Sequence, residues 1–374
     1  MIPILYPPNE KNISTNGLGL GKLTGLTECT VTEERNGAYE LDATIVNSSP
    51  HYEHVAEGAL MMATHDDGGD MQPFRIDNVK RGVKNTKIHA VHDAVFQLSG
   101  LPVSPPMSGS FTIPEVMQML TDLASTWGTS YPAAGKLDFS TDFTTTVSIN
   151  KPAFRYARKF LGGQENSLID LLGGGELKYD MYSVSLLKKR GVNTGVRITY
   201  GKNLEDINGD TSMGECYTGA FYYYQNTNGI LYSKQYDFDL KNTVNAYMPN
   251  IMDVDITSEF QNEPTRAEFE AMAAQKYAAF VNKEPWKNIY NNISISWYEL
   301  SKLSEYSHLP KRSVKLCDYV HVYYPPFGLD SDVEVVKVKW NVLRDRYETL
   351  DLGTQKKSLY SSLTELINNT TRRT

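Results

Sequence analysis

Residues 28–46 read Glu28-Cys-Thr-Val-Thr-Glu-Glu-Arg-Asn-Gly-Ala-Tyr-Glu-Leu-Asp-Ala-Thr-Ile-Val46, with apolar and polar side chains alternating on both sides of Asn-Gly. Such alternation is typical of strands with one buried face, so the stretch predicts a β-hairpin. A two-residue Asn36-Gly37 turn would put the two apolar rows on opposite faces. A three-residue loop over residues 35–37 instead pairs Val31 with Leu41 on one face, so we prefer it and expect a left-handed Gly37.

Short runs with similar patterning follow along the chain. They predict strands at residues 74–80, 86–92, 195–200, 293–299, 319–324 and 333–340. Tyrosine outnumbers phenylalanine, 24 to 13, and clusters at residues 222–224 and 323–324. Tyrosine suits half-buried strands and subunit contacts, because the ring packs while the hydroxyl stays hydrated.

Helical patterns are fewer. Thr112-Ile-Pro-Glu115 and Thr265-Arg-Ala-Glu268 are capping boxes, and each precedes apolar residues at helical spacing. A short helix near residues 166–172 ends at three glycines, and residues 358–368 predict a terminal helix. The predicted fold class is therefore α+β, mainly antiparallel β with inserted helical segments.

The composition argues against nucleic-acid binding by bulk charge, a disulfide-stabilised scaffold and a membrane-spanning protein. The net charge is −7 with a pI near 5.6, so no bulk basic field is present to hold nucleic acid by its phosphates. The three cysteines (Cys29, Cys216 and Cys317) lie far apart and predict reduced thiols rather than disulfides. The proline-rich start lacks the basic region of a signal peptide, and the apolar runs are too short to span a membrane.

Candidate reactive motifs all have a simpler interpretation. His51-x-x-His54 and His89-x-x-His92 lack the glutamate of zinc proteases, and residues 89 and 92 of one strand point to opposite faces. Residues 206–210 begin like a calcium loop but fail at its sixth and twelfth positions, so we interpret them as a turn between strands. Residues 65–70 suit an exposed hairpin tip.

The remaining motifs also carry no recognisable chemistry. The glycines at residues 173–175 follow a helix rather than open one, which favours a helix C-cap over a phosphate loop. Paired carboxylates such as Glu33-Glu34 are common in an acidic chain, and no nucleophile motif is recognisable. We therefore expect no catalytic residue, no cofactor and no metal ion.

Several segments together resemble one family of phage tail proteins, the "prophage endopeptidase tail" or minor structural proteins. They occur in the family's order at residues 32–41, 72–76, 88–92, 160–169, 172–176, 189–191, 198–204, 316–320, 342–347 and 352–353. One departure is Cys317-Asp318, where the family pattern has Gly-Asp before a strand. The departure concerns the conformation of that turn.

The resemblance implies a tail-tip or baseplate hub similar to those of contractile-tailed phages. It implies two β-barrels like tail-tube subunits, and a homotrimeric ring that closes the tube, with a channel through which DNA passes. The implied partners are a distal tail protein, the tail tube or tape-measure protein, and a spike or fibre. The implied location is the virion, after assembly in the bacterial cytoplasm.

The resemblance also suggests a division of the chain. We expect a tube-like β-barrel at residues 1–98, an inserted α/β domain at 99–180, a second β domain at 181–283 with a helix at 266–281, and a C-terminal β segment with a terminal helix at 284–374. In longer relatives lytic activity lies in added domains, whereas the match here leaves about fourteen residues. We therefore expect no enzyme. The alternative is a tail-associated peptidoglycan hydrolase whose residues are not recognisable.

Overall fold

The computed structural model describes residues 1–10, 13, 19–103, 108–149, 156–163, 167–212, 219–237, 251–260, 262–281, 290–300, 305, 313–327 and 329–353. The chain folds into two compact units. One contains Met1–Ile207, Ser294–Tyr323 and Asp332–Leu352, and the other is built mainly from Asn208–Ile293. In the described residues, no helix combines the length and the apolar character needed to cross a bilayer.

Strands make up most of the regular structure. In chain order they are β1 (Ile4–Tyr6), β2 (Gly21–Lys22), β3 (Leu26–Glu34), β4 (Tyr39–Val46), β5 (Leu60–Thr64), β6 (Met71–Arg81), β7 (Asn85–His92), β8 (Gly109–Thr112), β9 (Asp138–Thr141), β10 (Thr146–Ile149), β11 (Glu176–Asp180), β12 (Ser183–Leu187), β13 (Asn193–Thr199), β14 (Leu204–Ser212), β15 (Gly219–Asn226), β16 (Gly229–Asp237), β17 (Ile251–Asp255), β18 (Tyr290–Trp297), β19 (Tyr319–Tyr324), β20 (Leu329–Asn341) and β21 (Arg346–Gly353). The α-helices are α1 (Asp93–Gly100), α2 (Ile113–Gly128), α3 (Ala157–Leu161), α4 (Leu168–Leu171) and α5 (Arg266–Val281).

One large sheet organises the chain. Its strand order is β14-β18-β21-β20-β3-β4-β7-β6-β5-β1-β2, and β19 joins it beside β20 with β13 on its other side. Neighbours pair antiparallel from β20 through β3, β4, β7, β6 and β5 to β1 and β2. The prediction of a mainly antiparallel β fold with few helices is confirmed.

The N-terminal hairpin has the predicted register but not the predicted glycine conformation. Val31 pairs with Leu41 and both are fully buried, which confirms the three-residue loop. The left-handed residue is Asn36, with φ 57°, so the prediction for Gly37 is wrong. Asparagine tolerates this conformation because its short amide can hydrogen-bond locally. Gly37 is needed for space instead, since a Cβ there would lie 2.8 Å from the Cβ of Glu34.

The Asn36 side chain ties the hairpin tip to β11. Its amide nitrogen donates to the carbonyl of Gly175 at 2.8 Å, and its amide oxygen accepts from the Leu177 N–H at 2.8 Å. Arg158 donates to the carbonyls of residues 36 and 37, at 3.2 and 2.7 Å. The tip is therefore held by polar contacts to segments more than a hundred residues away in sequence.

The structure confirms the two helices that the capping boxes predict. In α2 the Thr112 hydroxyl and the Glu115 carboxylate cap each other's backbone N–H. In α5 Thr265 and Glu268 make the same reciprocal pair. The glycines at residues 173–175 follow α4 with positive φ angles, which confirms a helix C-cap and turn.

The second unit contains a small sheet packed on α5. Its strand order is β16-β15-β17. Tyr222 and Tyr224 of β15 are buried in one apolar cluster with Phe269 and Ala273 of α5. The Tyr236 ring stacks on Tyr277 with centroids 4.5 Å apart. These tyrosines therefore form part of a hydrophobic core, in addition to the half-buried and subunit-contact roles that the sequence predicts for tyrosine.

Two sequence interpretations of loops are wrong. Residues 206–210 lie within β14 and not in a turn, since the turn occupies residues 200–203. The loop of residues 65–70 does join two strands, but Asp66 and Asp67 are only 5% and 6% exposed. Cys29 and Cys317 are buried free thiols, whereas Cys216 and the predicted helix at residues 358–368 lie outside the described residues.

We expect Asn36→Ala to destabilise the fold more than Asn36→Gly does. Both variants lose two side-chain hydrogen bonds, worth about 1–2 kcal/mol together. Alanine must also adopt a left-handed conformation, at about 1–2 kcal/mol more, whereas glycine does so freely. Thermal unfolding followed by circular dichroism gives this order of midpoints. Equal midpoints for the two variants would contradict a left-handed residue 36.

Candidate functional site

A group of buried polar side chains lies in the first unit, where the N-terminal hairpin meets five later segments. We call this group the buried polar cluster. Its members come from β3, β4, the β5–β6 loop, β6, the junction of β7 with α1, and the loops before β13 and β19. They are Glu33, Tyr39, His65, Asp66, Gln72, Arg75, His92, Asp93, Arg190 and Asp318.

An ion pair between Glu33 and Arg190 lies at the centre of the cluster. Arg190 Nη1 is 2.7 Å from Glu33 Oε1, and the two side chains are 10% and 4% exposed. His65 Nδ1 approaches the other carboxylate oxygen at 3.6 Å. Burial alone would raise the pKa of Glu33, but attraction to Arg190 and the close approach of His65 outweigh it and lower this pKa to about 2. Glu33 therefore stays ionised at neutral pH and cannot act as a general acid there.

Beside this pair, His92 stacks on Tyr39. The ring centroids are 4.4 Å apart and the planes differ by 6°. His92 Nε2 lies 3.3 Å from Gln72 Oε1, while among the described residues neither His92 Nδ1 nor the Tyr39 hydroxyl has a hydrogen-bond partner. Burial lowers the pKa of His92 to about 3, so the imidazole is neutral.

A second buried ion pair joins Arg75 to Asp93. Arg75 Nε and Nη2 donate to the two carboxylate oxygens of Asp93 at 2.6 and 3.0 Å. The Tyr182 hydroxyl and the Gln97 amide donate to the same carboxylate at 2.7 and 3.1 Å. Asp93 also lies in the first turn of α1, where the helix dipole favours negative charge. This carboxylate is saturated with donors, which indicates a structural role.

The turn at Cys317 and Asp318 closes the cluster from the C-terminal side. The Asp318 carboxylate accepts the Val192 N–H at 2.9 Å and the Lys315 N–H at 2.8 Å. Cys317 has φ 70°, so it adopts the conformation that the family's glycine would favour. A Cβ on Gly191 would lie 1.8 Å from the Cys317 carbonyl oxygen, so these two turns pack backbone against backbone.

A small cavity lies against the cluster. It measures about 230 Å³, and its lining includes His65, Asp66, Lys178, Arg190 and Lys315. Lys315 Nζ is 3.2 Å from Asp66 Oδ2, which partly neutralises this buried carboxylate. The cavity therefore presents cations and anions together rather than one sign of charge.

One group in the described residues has the spacing of a metal site. Ligand atoms of Glu176, Cys317 and Glu334 lie within 4.8 Å of one another. Glu176 already accepts the Arg190 N–H at 2.5 Å, and Glu334 pairs with Arg35 at 2.8 Å. Burial raises the pKa of Cys317 to about 12, so the thiol stays protonated. These residues do not offer the free thiolate and carboxylates that a metal ion would need.

The histidine pairs singled out in the sequence are not brought together as chelates. His89 faces outward and bonds Asp42 at 2.9 Å, whereas His92 faces the core. His51 is a left-handed residue that precedes a 3-10 turn, and His54 lies 3.5 Å from Glu53. Neither pair therefore presents its two imidazoles to a common metal ion.

Sequence reasoning missed the buried polar cluster. Glu33 appeared as one of two unremarkable carboxylates, and Arg190 appeared as part of a family segment. The spacing of Glu33 could have predicted its burial. Glu33 lies two residues after Val31 in β3, so both side chains point to the same, buried face of the strand. A buried charge requires a partner, although the sequence did not identify it.

Comparisons with known proteins agree with the sequence resemblance. The model of the prophage endopeptidase tail family matches residues 192–363, somewhat less than half of the chain. No curated protein sequence matches the chain.

Solved structures show the fold over nearly the whole chain. The prophage tail protein gp18 of Listeria monocytogenes is similar with a TM-score of 0.51 and 13% identity, covering 98% of this chain and 99% of that one. The 43 kDa tail protein of prophage MuSo2 from Shewanella oneidensis has a TM-score of 0.55 and 12% identity, covering 96% and 100%. A tail protein of Neisseria meningitidis has a TM-score of 0.55 and 10% identity, covering 96% and 98%. The chain has the fold of these phage tail proteins.

We expect acid to destabilise this fold in two pH windows. His92 has a folded pKa near 3 against a usual 6.5, so the unfolded chain binds the proton first and stability falls as the pH drops below about 6.5. Glu33 has a folded pKa near 2 against 4.5, so its contribution is lost as the pH falls from 4.5 toward 2.

The variant His92→Phe separates the two windows, because phenylalanine can stack on Tyr39 and binds no proton. Urea unfolding at several pH values should show a flatter decline between about pH 6.5 and 4.5 for this variant. His54→Phe, at a half-exposed histidine, is the control and should leave the decline unchanged. An unchanged slope in His92→Phe would contradict a neutral buried imidazole.

Proposed function

We propose that this chain is a structural phage tail protein of the tail-tip or baseplate hub type. The observation that carries the proposal is the end-to-end correspondence with three tail proteins, which covers at least 96% of this chain and 98% of each relative. Fold alone does not define function, so the geometry of the polar cluster is the second support. Its charged groups are paired internally and hold segments together.

The alternative is a peptidoglycan hydrolase, which the name of the matching family suggests. A hydrolase requires an acid or base whose pKa is tuned toward the working pH and which can reach the substrate. Glu33 and His92 have pKa values shifted away from neutrality and are buried. Asp93 is fully buried and saturated with donors. Among the described residues, the cluster favours a structural role over catalysis.

A hub that joins a six-fold tail tube to a three-fold tip must match both symmetries. We propose that three copies form a ring and that each copy supplies two tube-like β-barrels, which gives six quasi-equivalent positions. The extended antiparallel sheet supports this proposal. Its strands have one apolar and one polar face, and β-barrels are built from strands of this kind. The net charge of −7 suits a channel that DNA passes without sticking, and we expect acidic residues to predominate on the channel wall.

The proposed location is the virion, at the tail tip or baseplate, after assembly in the bacterial cytoplasm. The proposed neighbours are a distal tail protein, the tail tube or tape-measure protein, and a spike or fibre. The domain boundaries at residues 98, 180 and 283 remain predictions.

Electron cryomicroscopy of tails from the lysogen that encodes the chain tests this proposal. We expect three copies in one ring at the end of the tail tube, because only a trimer with two barrels per chain satisfies both symmetries. Six copies, a single copy, or absence of the chain from the particle would contradict the hub assignment.

A zymogram on host cell walls tests the alternative, with lysozyme as the positive control. We expect the purified full chain to release neither soluble peptides nor reducing sugars. Release that is abolished by substituting one carboxylate would overturn the structural proposal in favour of the hydrolase.

A further inference from the structure

The hairpin between β6 and β7 is strongly basic in an acidic protein. Residues 78–88 contain four cations, Lys80, Arg81, Lys84 and Lys87, and no anion, while the whole chain carries a net charge of −7. All four are exposed, and Val83 at the tip is 98% exposed. We call residues 78–88 the basic hairpin.

Three of the cations have no salt-bridge partner among the described residues. Arg81 is engaged, because it donates to the Tyr52 hydroxyl at 3.1 Å and to the Val55 carbonyl at 2.8 Å. No ion pair within the described part of the chain involves Lys80, Lys84 or Lys87. The nearby carboxylates of Asp42 and Asp77 approach His89 instead, at 2.9 and 3.9 Å.

Two of these lysines oppose each other directly. In the antiparallel register Lys80 faces Lys87 across the strand pair. Like charges in directly opposite positions destabilise a sheet. The arrangement therefore costs stability in the isolated chain, and an anionic partner would relieve this repulsion.

The tip of the basic hairpin is held in a fixed shape. Asn47 binds three consecutive carbonyls of the loop: its side chain donates to Gly82 at 2.8 Å and to Val83 at 3.3 Å, and its backbone N–H donates to Lys84 at 2.9 Å. Thr86 donates to the Asn47 amide oxygen at 2.8 Å and orients it. A preorganised loop loses little conformational entropy on binding.

We propose that the basic hairpin docks onto an acidic surface of a neighbouring protein subunit in the tail, which rests on the proposed tail function. The exposed valine favours a protein over nucleic acid, because phosphates require only the charges. A membrane is disfavoured, since the tip lacks the aromatic and large apolar residues of interfacial anchors. Val83 supplies the apolar contact, and the three lysines supply charge complementarity and orientation.

A lysogen deleted for the gene and complemented from a plasmid tests the docking. The variant combines Lys80→Glu, Lys84→Glu and Lys87→Glu, and the control combines Lys22→Glu, Lys202→Glu and Lys234→Glu at other exposed lysines. Quantitative immunoblots of purified tails measure incorporation of the chain. We expect incorporation of the hairpin variant to fall about tenfold or more, while the control stays near wild type.

Folding and partner identity are measured separately. Lys80→Glu alone replaces a repulsive pair by an attractive one, so it should keep or raise the thermal midpoint while still weakening incorporation. Suppressors of the hairpin variant should be acidic-to-basic substitutions in a tail protein, which identifies the docking surface.

Incorporation of the hairpin variant at the wild-type level would overturn this inference alone. Lysine-dependent binding of the purified chain to a thymidine 30-mer, or to vesicles of phosphatidylglycerol, would overturn the assignment to a protein partner. Absence of even the wild-type chain from tails would overturn the proposed function itself.

Discussion

The ion pair between Arg190 and Glu33 joins the N-terminal hairpin to a loop 157 residues further along the chain. Both side chains are nearly excluded from water, so neither could be buried without the other. Removing one partner of such a pair typically costs about 3–5 kcal/mol, because the remaining charge stays buried. The positions of β3 and the loop before β13 therefore depend on each other through this contact, and Arg190 also binds Glu176 and the Leu177 carbonyl of β11.

Five of the ten segments that carry the family resemblance meet in the buried polar cluster. Each of these five segments contributes a side chain or a turn to the buried polar cluster, and they are residues 32–41, 72–76, 88–92, 189–191 and 316–320. These segments therefore contribute to the internal architecture of a chain whose identity to the solved tail proteins is only 10–13%. Within the cluster, charged groups pair with each other, as Glu33 does with Arg190 and Arg75 with Asp93.

Local features of the fold were predictable, whereas long-range polar contacts were not. The hairpin register and both capping boxes follow from patterns within about twenty residues, because period-two alternation and cap chemistry are local. The conformation of Asn36 was missed because its amide is fixed by residues 175 and 177, which the sequence does not place beside it. Asp66 was expected at an exposed tip and is buried near Lys315 for the same reason.

A double-mutant cycle on Glu33→Gln and Arg190→Met measures how strongly the two side chains stabilise the fold together. Urea unfolding followed by tryptophan fluorescence gives the free energy of unfolding for each protein. We expect each single substitution to cost about 3 kcal/mol or more, and the double variant to cost clearly less than their sum. If each single substitution lowers the free energy of unfolding by less than about 1 kcal/mol and the two losses add, the pair is no stronger than a surface contact and the fold does not depend on it.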